Sequence, residues 1–90
     1  MSGSDKKFRK FHNLDSREVE GEYFVIDNLQ GSIHSLGQSG SAVWRLLDEP
    51  QSKKDCAEVF DRAFPQEGEE KIEALVDEIF ALLEEEGLIY

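Results

Sequence analysis

The chain has 90 residues, of which 39% are hydrophobic, and its 10 basic against 20 acidic residues give a formal net charge of −10. This length predicts one domain with a small core, and the acidity argues against nucleic-acid binding, which needs Lys and Arg to displace the counterions of phosphates. The single cysteine excludes an internal disulfide, and no apolar run approaches the roughly 18 residues that a membrane span needs.

The two ends of the chain differ in composition and charge. Residues 1–7 are small and polar, and we expect a flexible tail ahead of a single domain over residues 8–90. The first twelve residues carry four basic side chains and one acid, whereas residues 66–90 carry nine acids and one lysine. This asymmetry indicates a solvated acidic helix and a basic arm that neutralises part of it. Without a signal-peptide core, and with a cysteine typical of a reducing compartment, the expected location is cytoplasmic.

The first half of the chain predicts strands. Phe8–Leu14 has apolar residues at every third position and predicts at most a short edge strand. Residues 19–27 predict a strand more strongly, because Tyr23–Ile26 is an aromatic and β-branched run. Residues 27–31 supply turn chemistry, with Asp and Asn followed by Gly, so residues 32–36 return as the second strand of a hairpin.

A corner rich in glycine and serine leads from this hairpin into the first helix. We predict this helix from about Gln38 to Asp48, with Gly37 or Ser39 as its N-terminal cap and Pro50 closing it. Its apolar stripe consists of Val43, Trp44, Leu46 and Leu47.

Two further helices follow. Ser52 and Asp55 have the spacing of a capping box and open a second helix, which stops before Pro65. The third and longest helix is predicted from Glu69 to Glu86, with Gly87 as its C-terminal cap. Its broad apolar stripe consists of Ile72, Leu75, Val76, Ile79, Phe80, Leu82 and Leu83. Strands first and helices afterwards predict an α+β domain, whose outer strand has unpaired backbone groups unless something covers it.

Over residues 20–90 these pieces form an ordered pattern: a hairpin, an apolar-Trp-x-Leu-Leu helix, a Ser-capped helix and a final helix that ends in Gly-Leu-Ile. The residues that carry it are Gly31, Ile33, His34, Leu36, Gly40, Val43, Trp44, Leu46, Leu47, Ser52, Val76, Phe80, Leu83, Gly87, Leu88 and Ile89. The pattern resembles the PqqD family of pyrroloquinoline quinone biosynthesis and, more broadly, the precursor-peptide recognition elements of ribosomal peptide natural-product pathways. One departure is Gly37, where the family usually carries Asn as the helix cap.

The resemblance implies a winged-helix-like α+β fold, with two to three antiparallel strands followed by three helices, and a protein that is neither an enzyme nor a cofactor carrier. It implies that the leader segment of a precursor peptide adds as a strand beside the third strand, in a groove walled by the third helix. A partner then acts on the attached peptide, for example a radical SAM enzyme, a cyclase or a leader peptidase. The protein itself is expected to be a monomer or a weak dimer, because an uncovered strand edge also pairs with a second copy.

The expected peptide contacts combine this implication with the general chemistry of strand edges, which offer main-chain hydrogen bonds to extended peptides. They are Ser32, Ile33, His34, Ser35 and Leu36 on the strand and Ile72, Leu75, Val76, Ile79, Phe80, Leu82 and Leu83 on the third helix. Periodicity leaves open which margin of the helix faces the strand, the one with Leu75 and Leu82 or the one with Phe80. The flanking acids Asp77, Glu78 and Glu84 favour a leader that carries Lys or Arg.

Other functional classes fit the sequence less well. A winged-helix regulator is disfavoured by charge, and a small acidic carrier protein is disfavoured by the strands, although Leu14–Ser16 is similar to a carrier attachment site. His12, His34 and Cys56 fit no standard zinc spacing. Cys56 itself lies on the apolar side of the second helix, where a cysteine usually acts as a small hydrophobic residue.

Overall fold

The secondary-structure elements of the protein are defined by a computed structural model, which describes residues 6–90. In chain order they are β1 (Lys7–Phe8), β2 (Leu14–Val19), β3 (Glu22–Asp27), β4 (Ser32–Ser35), α1 (Gly37–Leu46), β5 (Gln51–Ser52), α2 (Lys53–Ala63) and α3 (Glu69–Glu85). Small antiparallel sheets combine with three helices, which confirms the predicted α+β class. Within residues 6–90, no helix has the length and apolar character that crossing a membrane requires.

A three-stranded antiparallel sheet has the order β2-β3-β4. Its first hairpin pairs Leu14 with Asp27 at one end and Val19 with Glu22 at the other. The prediction of one strand over residues 19–27 was therefore wrong at its start, because the chain turns at Glu20 and the following glycine, both with positive φ. Nearly all of β2 is solvent-exposed. A strand without a buried face has no apolar alternation, which is why its sequence did not predict it.

The N-terminal arm is part of the folded body from Lys7 onwards. β1 pairs with β5, and Arg9 and Tyr90 exchange two backbone hydrogen bonds of 2.9 Å. Phe8 is 5% exposed, and its ring packs edge-on against Phe80 with a centroid separation of 5.1 Å. The structure thus places Lys7, which the sequence assigned to the tail, in a strand; residues 1–5 of that predicted tail lie outside the described residues.

Two basic side chains of this arm, Lys7 and Lys10, pair with acids at the start of α2 and just after α1. Lys7 lies 3.4 Å from Asp55, and Lys10 lies 2.8 Å from Asp48. Lys10 also stands over the buried ring of Trp44, with its Nζ 4.3 Å from the centroid. The arm therefore helps to cover α1, which is a different role from neutralising the C-terminal helix.

The core lies between the inner face of the sheet and the three helices. Its buried apolar residues are Phe8, Val25, Val43, Trp44, Leu47, Cys56, Ala57, Phe60, Ile72, Val76, Ile79, Phe80, Leu83, Leu88 and Ile89. The apolar stripes predicted for α1 and α3 supply most of this set.

The beginning of α1 differs from the prediction. Neither Gly37 nor Ser39 caps it, because the capping position falls on Leu36 and has no side-chain hydrogen bond. Gly37 instead has φ of +68°, a left-handed conformation that favours glycine and is also open to asparagine. Ser41, one turn inside the helix, has the role that the sequence did not show: its Oγ accepts a 2.7 Å hydrogen bond from the backbone N–H of Tyr23 and so ties α1 to β3.

The end of α3 agrees with its prediction. Gly87 has φ of +76°, the Leu88 N–H donates to the Leu83 carbonyl at 3.0 Å, and the Gly87 N–H donates to the Glu84 carbonyl at 3.0 Å. These are the paired bonds of a Schellman cap. Leu88 and Ile89 then pack back into the core, where both are buried.

The capping box at the start of α2 is confirmed. The Asp55 N–H donates to Ser52 Oγ at 3.0 Å, and the Ser52 N–H donates to the Asp55 carboxylate at 3.0 Å. The hydrogen bond from the Ser52 N–H is the main cause that holds the pKa of the Asp55 carboxyl below its usual value of 3.8, and the Ser52 side chain adds to this effect. The box therefore stabilises the ionised form of Asp55 in the folded protein.

Ser52→Ala is expected to lower the free energy of unfolding by about 1 kcal/mol, measured by urea denaturation at pH 7. Because the folded pKa of Asp55 is depressed, its contribution is present above the ordinary carboxyl pKa and is lost as the pH falls through the lower, folded value. The difference in the free energy of unfolding between wild type and Asp55→Asn should therefore become smaller at acidic pH. Ser39→Ala is the matched control, since this helical serine caps nothing; a loss equal to that of Ser52→Ala would contradict the assignment.

Candidate functional site

β4 forms one edge of the three-stranded sheet and, within residues 6–90, pairs only with β3. Its Ile33 is 69% exposed on the outer face of the sheet. The hydrogen-bond ladder between β4 and β3 ends just after β4, because the N–H of Tyr23 donates to the Ser41 hydroxyl and not to β4. A short strand with one unpaired side is a template for another extended chain.

The register of the hairpin determines which backbone groups point to the open edge. Residues along an antiparallel strand alternate between those that hydrogen-bond to the partner and those that point away from it. The Leu36 N–H donates to the Tyr23 carbonyl at 3.1 Å, so Leu36 and, two residues earlier, His34 bond towards β3. Ile33 and Ser35 consequently direct their N–H and C=O groups outwards, which offers two donors and two acceptors.

A groove of about 270 Å³ lies next to the end of this edge. It runs between β4 and the start of α1 on one side and the C-terminal half of α3 on the other, and we call it the edge groove. Its lining residues are Ser35, Leu36, Ser39, Gly40, Glu78, Ile79, Leu82, Leu83 and Glu86. Ile79 and Leu83 are buried beneath it, whereas Leu82 is 54% exposed along its wall. An apolar wall beside unpaired main-chain groups can hold an extended peptide by both its backbone and its side chains.

Gly40 contributes to the shape of the edge groove. A Cβ atom at this position would lie 3.2 Å from the Cβ of Leu36, which is tighter than ordinary van der Waals contact. Glycine therefore lets the first turn of α1 approach the end of β4 closely. It also leaves the groove without a side chain at that point.

The rim of the edge groove is acidic. Glu78 and Glu86 lie on it, one turn of α3 to either side of Leu82. Of the other acids predicted to flank the site, Asp77 lies on the α2 side, 3.6 Å from Lys53, and Glu84 is exposed away from the groove. Electrostatic complementarity at this rim favours a ligand with Lys or Arg over an acidic one.

His34 braces the strand against the end of α3. Its Nδ1 lies 2.8 Å from the Glu86 carboxylate, and its Nε2 lies 3.2 Å from the Ser32 hydroxyl. The side chain shares the inner face of the sheet with Val25, its cross-strand partner, which is fully buried. The structure thus gives His34 a contact that spans the two walls of the edge groove at one end.

The predicted contact residues of α3 fall into two groups, apart from Leu75, which lines a separate hollow. Ile79, Leu82 and Leu83 lie at the edge groove together with Ser35 and Leu36 of the predicted strand. Ile72, Val76 and Phe80 are buried in the core, and Phe80 is covered completely. The margin of the helix that faces β4 is therefore the one that carries Leu82.

Other hollows also border α3, and two of them are formed between helices. One, of about 430 Å³, lies between α1, the end of α2 and the start of α3, and Ile72 and Leu75 line it together with two phenylalanines. The other, of about 490 Å³, is lined entirely by α2 and α3 and has lysines and acids around it. The first of them shares Ser39 with the edge groove.

Cys56 is fully buried, and this burial raises the pKa of its thiol to about 11, so the thiol is neutral near pH 7. Within residues 6–90, no three His, Cys, Asp or Glu side chains are placed to hold a metal ion. Backbone donors and acceptors, an apolar wall and an acidic rim are what the edge groove presents.

Comparison with known proteins gave one family and two related structures. The model of the family described as coenzyme PQQ synthesis protein D (PqqD) matches residues 20–89. A structure of TbiB1 in complex with the TbiA(beta) leader peptide superposes with a TM-score of 0.81 at 16% identity, over 90% of this chain and 93% of that one. A structure of a lasso peptide synthetase B1 complexed with the leader peptide superposes with a TM-score of 0.72 at 21% identity, over 92% of this chain and 96% of that one. No curated protein sequence matches the chain. At these identities the two structures establish the fold.

Proposed function

The chain belongs to the PqqD family, and from this membership we propose that it is a non-catalytic recognition protein for the leader region of a ribosomally made precursor peptide. It holds the leader by strand addition and presents the attached core to a separate modifying enzyme or leader protease. The two solved structures that share its fold were determined with leader peptides bound, which supports this choice of ligand.

The observation that carries the proposal is the free edge of β4 beside an apolar groove. The leader pairs with the outward N–H and C=O groups of Ile33 and Ser35 as a fourth strand. Its side chains on the α3 side pack against Leu36 and Leu82. Main-chain bonding supplies affinity without sequence preference, and the groove supplies the preference.

The remaining features of this function follow from the same arrangement. The domain formed by residues 7–90 is the recognition unit, and it works in the cytoplasm, where precursor peptides are synthesised. It acts as a monomer or a weak dimer, and a second copy that pairs along β4 competes with the leader for that edge. Its enzyme partner is of the radical SAM, cyclase or leader-peptidase kind.

Titration of ¹⁵N-labelled protein with leader peptides encoded near its gene tests the proposal. Amide shifts are expected to concentrate at residues 32–36 and 78–86, which form the two walls of the edge groove. A scrambled peptide of the same composition is the matched control, since it keeps the charge and loses the sequence. Shifts confined to β2 or α2 would refute strand addition at β4, and equal shifts with the scrambled peptide would refute recognition of the leader sequence.

A further inference from the structure

We propose that the hollow between α1, α2 and α3 holds a second apolar side chain of the precursor peptide, so that the ligand is an extended segment with two apolar anchors. This inference rests on the proposed function and adds to it the class of leader that the site selects. We call this hollow the aromatic pocket.

The aromatic pocket has the composition of a side-chain site. Its volume is about 430 Å³, and Phe60, Phe64, Ala42 and Leu75 form its apolar lining. Phe64 is 48% exposed, and its ring stands 6.3 Å from that of Phe60 at an angle of 73°. Such aromatic surface in a concave position gains from burying a Leu, Phe or Tyr side chain.

The aromatic pocket continues the edge groove along α3. Ser39 lines both of them. Leu82 of the edge groove and Leu75 of the aromatic pocket are seven residues apart on one helix, which corresponds to about 10 Å along its axis. An extended peptide advances about 3.3 Å per residue, so about three residues separate the two anchors.

The rim of the aromatic pocket explains why the anchor there is apolar and not charged. Lys71 and Glu67 stand on the rim with 3.7 Å between Nζ and Oε1, so opposite charges already face each other. The edge groove, in contrast, has Glu78 on its rim, an acid for which no basic partner lies among residues 6–90. The leader that fits both is therefore apolar at the pocket and neutral or basic at the groove.

The test compares two peptides on two proteins. One peptide is the whole leader. The other lacks the leader residues that would extend past Ser35 of β4 towards the aromatic pocket. Phe64→Ala is expected to weaken binding of the whole leader about tenfold and to leave the short peptide unchanged, measured by fluorescence anisotropy. The short peptide should bind wild type about as weakly as the whole leader binds the variant.

Val59→Ala is the matched control, because Val59 is a 39% exposed apolar residue of the same helix that lies outside both hollows. Leu75→Gln changes the lining of the aromatic pocket on the α3 side. It is expected to give the same result as Phe64→Ala and replaces that variant if Phe64→Ala folds poorly. Equal weakening of both peptides, or a change in self-association in place of peptide binding, would overturn the inference. If neither peptide binds wild type, the proposed function itself fails.

Discussion

Leu82→Gln is expected to weaken leader binding by about 30- to 150-fold, corresponding to about 2–3 kcal/mol, while leaving the fold intact. Leu82 is 54% exposed in the free protein, so little of its side chain contributes to the core. In the proposed complex it becomes buried against the peptide. A glutamine of similar size loses the apolar burial of the leucine. It also places an amide group without a hydrogen-bond partner in an apolar contact, which costs desolvation free energy.

The choice of glutamine separates packing from charge. Leu82 stands one helical turn from both Glu78 and Glu86, so a charged replacement would also change the field that a basic leader meets. Fluorescence anisotropy with a labelled leader measures binding, and urea denaturation confirms that the free energy of unfolding has changed by less than about 0.5 kcal/mol.

Val19→Gln is the control for this variant. Val19 is 55% exposed, nearly the same as Leu82, but it lies at the end of β2 on the opposite edge of the sheet. Its replacement should leave binding unchanged. Wild-type affinity in Leu82→Gln, or equal losses in both variants, would remove the edge groove from the proposed site.

Most of the helical half of the fold could be predicted from the sequence, because its signals are local. The capping box of Ser52 and Asp55, the left-handed Gly87 and the apolar stripe of α3 each depend on residues a few positions apart. Such patterns fix the start, the end and the buried face of a helix before any tertiary contact forms.

The strands were predicted less completely, because a strand is stabilised by pairing with segments that lie far away in the sequence. β1 has two residues and exists because β5, more than 40 positions later, pairs with it. β2 is exposed on both faces and gains its order from β3. The buried Phe8 likewise packs against Phe80, which lies more than 70 positions later in the sequence. The local β-propensity of a segment does not predict pairing between such distant segments.

For the candidate site, the sequence supplied the strand and the helix but not their mutual orientation. The side of α3 that meets β4 is marked by the contact between His34 and Glu86, which are 52 positions apart in the sequence. A contact between residues so far apart has no local signature. The sequence predicted Glu86 only as the last residue of α3, and the structure places it on the rim of the groove.

Ile33→Pro is expected to weaken leader binding by about 10- to 100-fold and to leave the pairing of β4 with β3 in place. The register directs the Ile33 N–H to the open edge, so proline removes a donor that serves the peptide and not the sheet. Proline is tolerated on edge strands when its nitrogen faces outwards. His34→Pro is the contrasting variant, because its nitrogen bonds towards β3 and its loss should lower the free energy of unfolding instead.

The same argument can be tested from the side of the ligand, where no variant of the protein is needed. Leader peptides N-methylated at successive positions lose one donor each and keep every side chain. In strand addition, every second amide of the added strand bonds to β4, so affinity should fall at alternate positions with a period of two. Recognition through side chains alone would give no such period, and Ile33→Pro would then bind like wild type. The two results together decide whether the leader extends the sheet or merely lies beside it.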